Sequence, residues 1–437
     1  MTLLALTSIG LAALAVVGSI RYGSPDLFIR RVRAEIAVYQ PHPEFVPTPL
    51  ATAATVSLAE LAAEDPPATT TPAATVEPSP APTSAPTPAD VAQTPTQTSP
   101  TATPAPTATP AYQPARESVH LGELTHMWQT WNNCGPATLA MNLSYYACDL
   151  TQAEIAAALK PDAEDKNVSP EELAAFARRQ GLLAHVLVNG DAERLRLLLS
   201  NGVPALIETW HEPAPGDGMG HYRLLVGYDD ATREWIAYDS YESTGVDPET
   251  AYAGIRFDYD SLDALWRVFN RAYLVIYDET RAPAVQAILG PDLDEGQMWQ
   301  RANRRAQAEI EANPDDPFGW FNLGMGLTAQ GQFARAASAF DQARRIGLPW
   351  RMLWYQFGPY EAYYAVGRYD ELIALADATL KTAGGLVEEI HYWKGRAYEA
   401  LGDFEAARAA WVRALELNGY YTPAVEALQA LNETAGP

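Results

Sequence analysis

The spacing of apolar positions changes along the chain, and each change marks a different kind of segment. Leu3 to Ile20 is one uncharged run of 18 residues. That is the short end of what crosses a bilayer as a helix, and it reads as a membrane anchor or an export signal. Periodicity is then lost until about Ser118. Beyond it, apolar residues recur at helical spacing over 135–146, 151–160 and 169–180. Thr151 is placed to cap the second of these helices, and Ser169, followed by Pro170, Glu171 and Glu172, to start the third. Short β-type runs follow at 185–188, 204–210, 221–228, 233–240 and 272–277. Helices first and a meander of strands afterwards predict an α+β domain.

After Asp292 the strand signal stops and helical periodicity runs to the end. Trp320, Leu323, Gly324, Leu327, Gly331, Ala336, Phe340, Ala343 and Pro349 are spaced so that small residues let two antiparallel helices touch while large ones fill the gaps. Turn glycines recur at Gly331, Gly367 and Gly402. Gly395, Tyr398, Gly402, Ala407, Trp411 and Ala414 repeat the pattern well, whereas the middle copy is degenerate, with Leu372 at a small position. The pattern resembles the tetratricopeptide repeat. The resemblance implies an all-α solenoid of about three repeats with a capping helix at 295–312, a module that binds a protein partner or substrate. The aromatics from Trp350 to Tyr369 suit either packing between helices or the lining of a concave groove.

Composition changes this picture in three ways. The 437 residues include 34 prolines, and 14 of them fall between Pro66 and Ala115 among Thr, Ala and Ser, with Glu77 and Asp90 the only charges there. Proline fixes φ and removes a backbone donor, so this segment forms neither helix nor sheet and reads as a disordered, extended stalk. Such stalks resemble those that hold bacterial surface domains away from a membrane. Arg21, Arg30, Arg31 and Arg33, which follow the apolar run, pull the other way, because positive residues favour the cytoplasmic side. A net charge of −24 argues against nucleic acid and against an anionic membrane surface as partners. Two cysteines exclude a disulfide scaffold and a zinc site built on several thiolates. No Gly-rich phosphate loop and no metal-ligand spacing occurs, so neither cofactor nor metal is expected.

The candidate chemistry lies at Gln129-Thr-Trp-Asn-Asn-Cys134-Gly-Pro-Ala. A cysteine at a helix start faces unpaired N–H groups and the positive end of the dipole, which favour thiolate over thiol. Gln129 is near enough to fold back and help hold a developing oxyanion. His221 opens one strand and Asp239 ends the next, so an antiparallel pair puts both at the same end of the sheet, with the acid on one ring nitrogen and the sulfur facing the other. Cys, His and Asp in this order with an upstream Gln resemble papain-like cysteine peptidases. The Gln-x4-Cys-Gly-Pro-Ala and Gly-His-Tyr-x3-Val-Gly-Tyr-Asp strings are similar to the branch related to bacteriocin-processing, double-glycine leader peptidases. The resemblance covers about 118–280 and implies Cys134 as nucleophile, His221 as general base and acid, Asp239 as orienting group and Gln129 as oxyanion donor. His211 and Trp131 are candidate substrate contacts. His126, Asp229 and Asp230 read as structural or turn residues. Ser240 stands where the family often has proline, and the leader peptidases proper carry a transporter and an ATPase that this sequence lacks, so leader cleavage does not follow. Cys148 lies 14 residues from Cys134, about 21 Å along a continuous helix and too far for a disulfide.

The sequence therefore predicts a membrane anchor or signal at 1–21, a juxtamembrane region at 22–65, a stalk at 66–116, an α+β papain-like peptidase domain at 117–280 and an all-α tetratricopeptide solenoid at 293–435. The expected activity is hydrolysis of peptide bonds at a cell surface. An inactive peptidase fold that only binds, or an amidase or transglutaminase-like acyl transferase, are the alternatives.

Overall fold

The computed structural model describes residues 111–434 other than 245 and 248, together with 42–50, 58–63 and the single residues 29 and 32. The expected anchor at 1–21 and most of the expected stalk lie outside the described residues. Among the described residues, no helix is long and apolar enough to cross a membrane.

The α+β domain begins with β1 (Ser118–His120), α1 (Cys134–Ser144), α2 (Gln152–Leu159) and α3 (Pro170–Arg179). Local chemistry sets these starts. Thr151 with Glu154, and Ser169 with Glu172, form reciprocal capping boxes, and Pro170 occupies the first turn of α3. Helix α1 is buried on nearly every side, from Gly135 to Leu143, as befits a helix at the centre of a core. Then come β2 (Leu183–Leu187), α4 (Ala192–Ser200), β3 (Ala205–His211), β4 (Met219–Asp229), β5 (Glu234–Asp239), β6 (Ile255–Asp258), α5 (Tyr259–Trp266) and β7 (Tyr273–Tyr277).

The sheet is antiparallel, in the order β2-β7-β3-β4-β5-β6, with β1 laid beside β4. The expected simple meander holds only for β3 to β6. The last strand returns to sit between β2 and β3, because the all-buried Tyr273–Tyr277 run needs a partner on both sides. Gly227 permits β1 to join: a Cβ there would stand 2.3 Å from the Val119 carbonyl oxygen. Alternate strand positions serve two cores. Leu206, Leu224 and Leu274 pack under α1 and α3. Ile207, Leu225 and Val275 face α4 and α6 (Ala282–Leu289) in a core continuous with that of the helical half.

The helical half runs through α7 (Glu295–Ala312), α8 (Pro317–Ala329), α9 (Phe333–Ile346), α10 (Gly358–Ala365), α11 (Tyr369–Ala383), α12 (Glu388–Ala400), α13 (Phe404–Leu417) and α14 (Thr422–Thr434). Helix α7 fills the range expected for a capping helix. The two halves are bonded together: the Lys166 N–H donates to the Leu386 carbonyl (3.1 Å), Asn167 Nδ2 to Glu389 (2.7 Å), and Asn418 Nδ2 to the Leu159 carbonyl (3.2 Å).

Two stretches differ from the expected tether. Residues 113–116, assigned to the stalk, are bonded to the domain: Gln113 N–H donates to Asn201 Oδ1 (2.8 Å) and Arg116 N–H to Ser200 Oγ (3.1 Å). Within the expected juxtamembrane region, residues 42–50 form an extended strap on the repeats. Phe45 bridges Pro349, the Val46 N–H donates to the Leu348 carbonyl (2.8 Å), and Arg344 donates to the carbonyls of Pro47 and Thr48.

Candidate active site

Cys134 is the first residue of α1, and its N-cap, Asn133, uses its side chain on Thr130 (2.8 Å) and not on the helix end. The N-terminal dipole is thus left to the sulfur. His221 lies in β4 two positions before Arg223, which pairs across the sheet with Asp239 at the end of β5. Residues two apart share a face, so the imidazole and the guanidinium both meet one carboxylate. Asp239 Oδ1 accepts from His221 Nε2 at 2.8 Å and from the N–H groups of Tyr241 and Glu242, each at 2.8 Å. Its Oδ2 pairs with Arg223 Nε at 2.9 Å. Asp239 is fully buried, and burial alone would raise its pKa. The charge and hydrogen bond of His221, then Arg223, overcome that and hold the carboxyl well below the usual range.

With Nε2 committed to Asp239, the other nitrogen of His221 is left for the Cys134 sulfur, to which the imidazole is hydrogen-bonded. Burial pushes the Cys134 thiol up, but that bond, the charge of His221, the Tyr222 backbone N–H and the Lys160 ammonium bring it below an ordinary thiol. For His221, burial acts downward, and Asp239 with the sulfur raises the pKa above 6.5. Both shifts run toward thiolate and imidazolium. Cys148 is the opposite case: burial and Asp149 raise its thiol, and both cysteines are free.

The Gln129 side chain reaches the same cleft, a cavity of about 670 Å³ that also exposes Trp131, Cys134, His211 and His221. The side-chain Oε1 accepts from Ser240 Oγ at 2.8 Å, and the Gln129 backbone N–H donates to the Ser240 carbonyl at 2.8 Å. Trp131 is fixed by donation from Nε1 to Glu164 (3.0 Å), with the Lys166 ammonium 5.4 Å from its ring centre. His211 accepts at Nδ1 from Arg223 (3.3 Å), so its proton sits on Nε2, which is buried and without a partner. Burial, then His221 and Arg223, pushes its pKa down to about 4, and the ring is neutral. Five of the six candidate residues thus line one cleft, and the sixth, Asp239, is buried behind them and bonded to His221.

The residues read as structural are structural. His126 stacks on Tyr252 and donates to the Asp239 carbonyl (2.7 Å), Asp229 accepts from the Ala231 N–H in a turn (3.0 Å), and Asp230 is held by Arg196 and Tyr259. Sequence reasoning missed Arg223, which looked like one charge in an apolar strand. It also missed Lys160, whose Nζ donates to the Asn132 and Asp165 carbonyls (2.8 and 3.0 Å) and so fixes the loop before Cys134. The repeats contribute as well: Trp350, Trp354 and Tyr355 line the cleft. Of the two roles open to this aromatic stretch, the packing role accounts for Tyr360 and Tyr363, which are fully buried.

Residues 121–262 match the Peptidase_C39 like family, and residues 388–421 match the tetratricopeptide repeat. The chain thus carries a region similar to C39-like peptidases followed by one similar to tetratricopeptide repeats. Among solved structures it is similar to one described as a C39-like peptidase from Bacillus anthracis, 15% identical over 38% of this chain and 99% of that one, with a TM-score of 0.30. It is also similar to the peptidase domain of Streptococcus ComA, described as a bi-functional ABC transporter involved in a quorum-sensing pathway. That domain is 14% identical over 36% of this chain and all of its own, with a TM-score of 0.26. No curated protein matches the chain.

Proposed function

We propose that the protein is a cysteine peptidase whose peptidase domain hydrolyses peptide bonds. The observation that carries this reading is the hydrogen-bonded series from Cys134 and His221, which line the cleft, to the buried Asp239. The thiolate adds to the substrate carbonyl, and the oxyanion is held by the Gln129 amide and the Cys134 N–H. As the C–N bond breaks, His221 gives its proton to the departing amine, which leaves an acyl-enzyme. Water then attacks the thioester, His221 takes the water's proton, and the thiolate leaves as the acid product is released. Asp239 keeps the imidazole oriented throughout and stabilises its charged form.

Turnover of a peptide library by the wild type and by Cys134→Ala tests the reading. Loss of turnover in the variant supports it. Equal turnover leaves the domain as a binding module, and acyl transfer to an added amine in place of water moves it to the amidase or transglutaminase-like class. In the same proposal residues 1–21 hold the protein to a membrane with both modules outside the cell. Digestion of both modules by protease added to intact cells supports that location, and their protection overturns it.

A further inference from the structure

The cleft that holds Cys134 is walled on one side by the repeats. Tyr355 lies against Gly220, the residue before His221: a Cβ at Gly220 would stand 3.1 Å from three atoms of the Tyr355 ring. The glycine of the Gly-His-Tyr string is therefore where a repeat aromatic comes up to the site. Arg351 fixes the same wall to the peptidase domain through Asp217 (2.5 Å) and the Gly218 carbonyl (3.3 Å). Its guanidinium is stacked 4.3 Å from the Trp350 ring centre and 5.5 Å from that of Trp354.

Most polar groups of this wall are already used; the exception is His42, stacked on Trp350 with ring centres 4.3 Å apart, whose Nε2 is buried and without a partner. Arg351 is paired as above, and Trp354 Nε1 donates to Thr382 Oγ1 at 3.3 Å. What lines the cleft beside them is the small exposed part of the two indoles, Ala383, Leu386 and Arg413, the last paired with Glu416 at 2.8 Å. A polar substrate side chain placed against the indoles, Ala383 and Leu386 would give up water for little in return, whereas an apolar one gains contact area. On the peptidase side, the unpartnered Nε2–H of His211 offers a single donor suited to a peptide carbonyl.

The geometry points to a substrate subsite on the repeats, formed by Trp350, Trp354, Tyr355, Ala383 and Leu386, that takes an apolar or aromatic side chain close to the scissile bond. The inference rests on the peptidase reading for its place in catalysis, and it makes the repeat module a determinant of specificity as well as a recruiting surface.

The test compares wild type, Trp354→Ala and Leu386→Asn on a peptide library in which one position near the scissile bond is varied between apolar and polar residues. The selectivity, the ratio of kcat/KM for apolar over polar peptides, falls about ten- to hundredfold in either variant, the range that a few buried methylenes give. The rate of Cys134 alkylation separates a lost pocket from a collapsed fold, and Leu386→Asn, at a half-buried position, covers the case in which Trp354→Ala does not fold. Binding of the same peptides to Cys134→Ala, with and without Trp354→Ala, is read by fluorescence anisotropy. An apolar preference there that disappears with Trp354 upholds the subsite even if no peptide is hydrolysed, which isolates failure of the peptidase reading. Selectivity unchanged in both variants, or no apolar preference in either readout, overturns the subsite.

Discussion

The Ser240 hydroxyl donates to Gln129 Oε1 at 2.8 Å, which ties down the oxygen end of an amide in the same cleft as Cys134. Under the proposed mechanism Ser240 is thus the residue that holds the oxyanion donor. Gln129→Ala removes the donor and is expected to lower kcat about 10²–10³-fold. Ser240→Ala keeps the donor but frees its rotation, so kcat falls about tenfold with KM little changed, the mark of a group that acts in the transition state. Steady-state kinetics on one good peptide substrate checks both, and a Ser240→Ala enzyme with unchanged kcat would show that Gln129 needs no support.

Asp239 sets the pH dependence. The Cys134 pKa is lowered from that of an ordinary thiol and the His221 pKa is raised above 6.5, and both shifts run toward the ion pair on which the proposed mechanism depends. Activity rises with pH as Cys134 deprotonates and falls at higher pH as His221 loses its proton. Asp239→Asn removes the charge that raises His221, which shifts the alkaline limb to lower pH, raises the Cys134 pKa and narrows the bell from both sides. The expected loss of kcat/KM at its optimum is about 10²–10⁴-fold. Alkylation of Cys134 against pH measures the thiol limb without any substrate, and an unmoved limb in Asp239→Asn contradicts the role given to Asp239.

Much of this was legible where a signal is local. The capping boxes at Thr151 and Ser169 and the start of α1 at Cys134 are set within a few residues of chain, and the structure has them where the pattern put them. The expected Cys, His, Asp and Gln meet because adjacent antiparallel strands need only register. What escaped depends on distant partners. Strand β7 is apolar throughout, and nothing in it says that it enters between β2 and β3. Helix α4 carries a plain signal, Asp191 as N-cap before AERLRLLLS, that was overlooked among strands. Arg223 has meaning only once Asp239 stands across from it, and the strap at 42–50 only once its partners some 300 residues away are folded.

The junction between peptidase domain and repeats buries several acids. Asp165 and Glu388 share a hydrogen bond, Glu389 accepts from Asn167, and Lys160 lies beside them. Burial, then mutual repulsion, raises Asp165 and Glu389 well above ordinary carboxyls, burial raises Glu388, and Glu172 is pushed up to about 7. A folded-state pKa above the unfolded value means that the contribution to stability is fully present below the unfolded pKa, near pH 4.5, and is lost as pH rises through the folded value. The junction therefore weakens as pH rises above about 4.5, through the value of about 7 at which Glu172 ionises and on through those of the other acids. Glu389→Gln keeps the shape of the protonated acid and cannot ionise. Its melting temperature should match the wild type at pH 5 and exceed it by several degrees at pH 8. Parallel melting curves against pH would remove Glu389 from the junction's titration.

Both ends of the Pro-rich segment are held on the folded body. Ahead of it, Val46 and Leu61 are buried in the core shared by sheet and repeats, and the Leu50 N–H donates to Glu371 at 3.2 Å. Behind it, Gln113 and Arg116 are bonded to α4 and its C-terminal cap. A segment fixed at both ends closes a loop, so any tether from residues 1–21 reaches the folded body first at the strap and not at residue 111. A site for a sequence-specific protease placed between Ala89 and Asp90 tests this. After cutting, the N-terminal piece should remain with the C-terminal one through gel filtration and separate only in denaturant. Val46→Asp puts a charge into a position 3% exposed, and the uncut chain tolerates it better than the cut one, because the intact loop keeps the strap at about millimolar effective concentration. In the cut Val46→Asp protein the N-terminal piece is lost on dilution. Separation of the pieces on cutting the wild type would mean that the strap adds no holding energy, and the stalk would again be the link between membrane and enzyme.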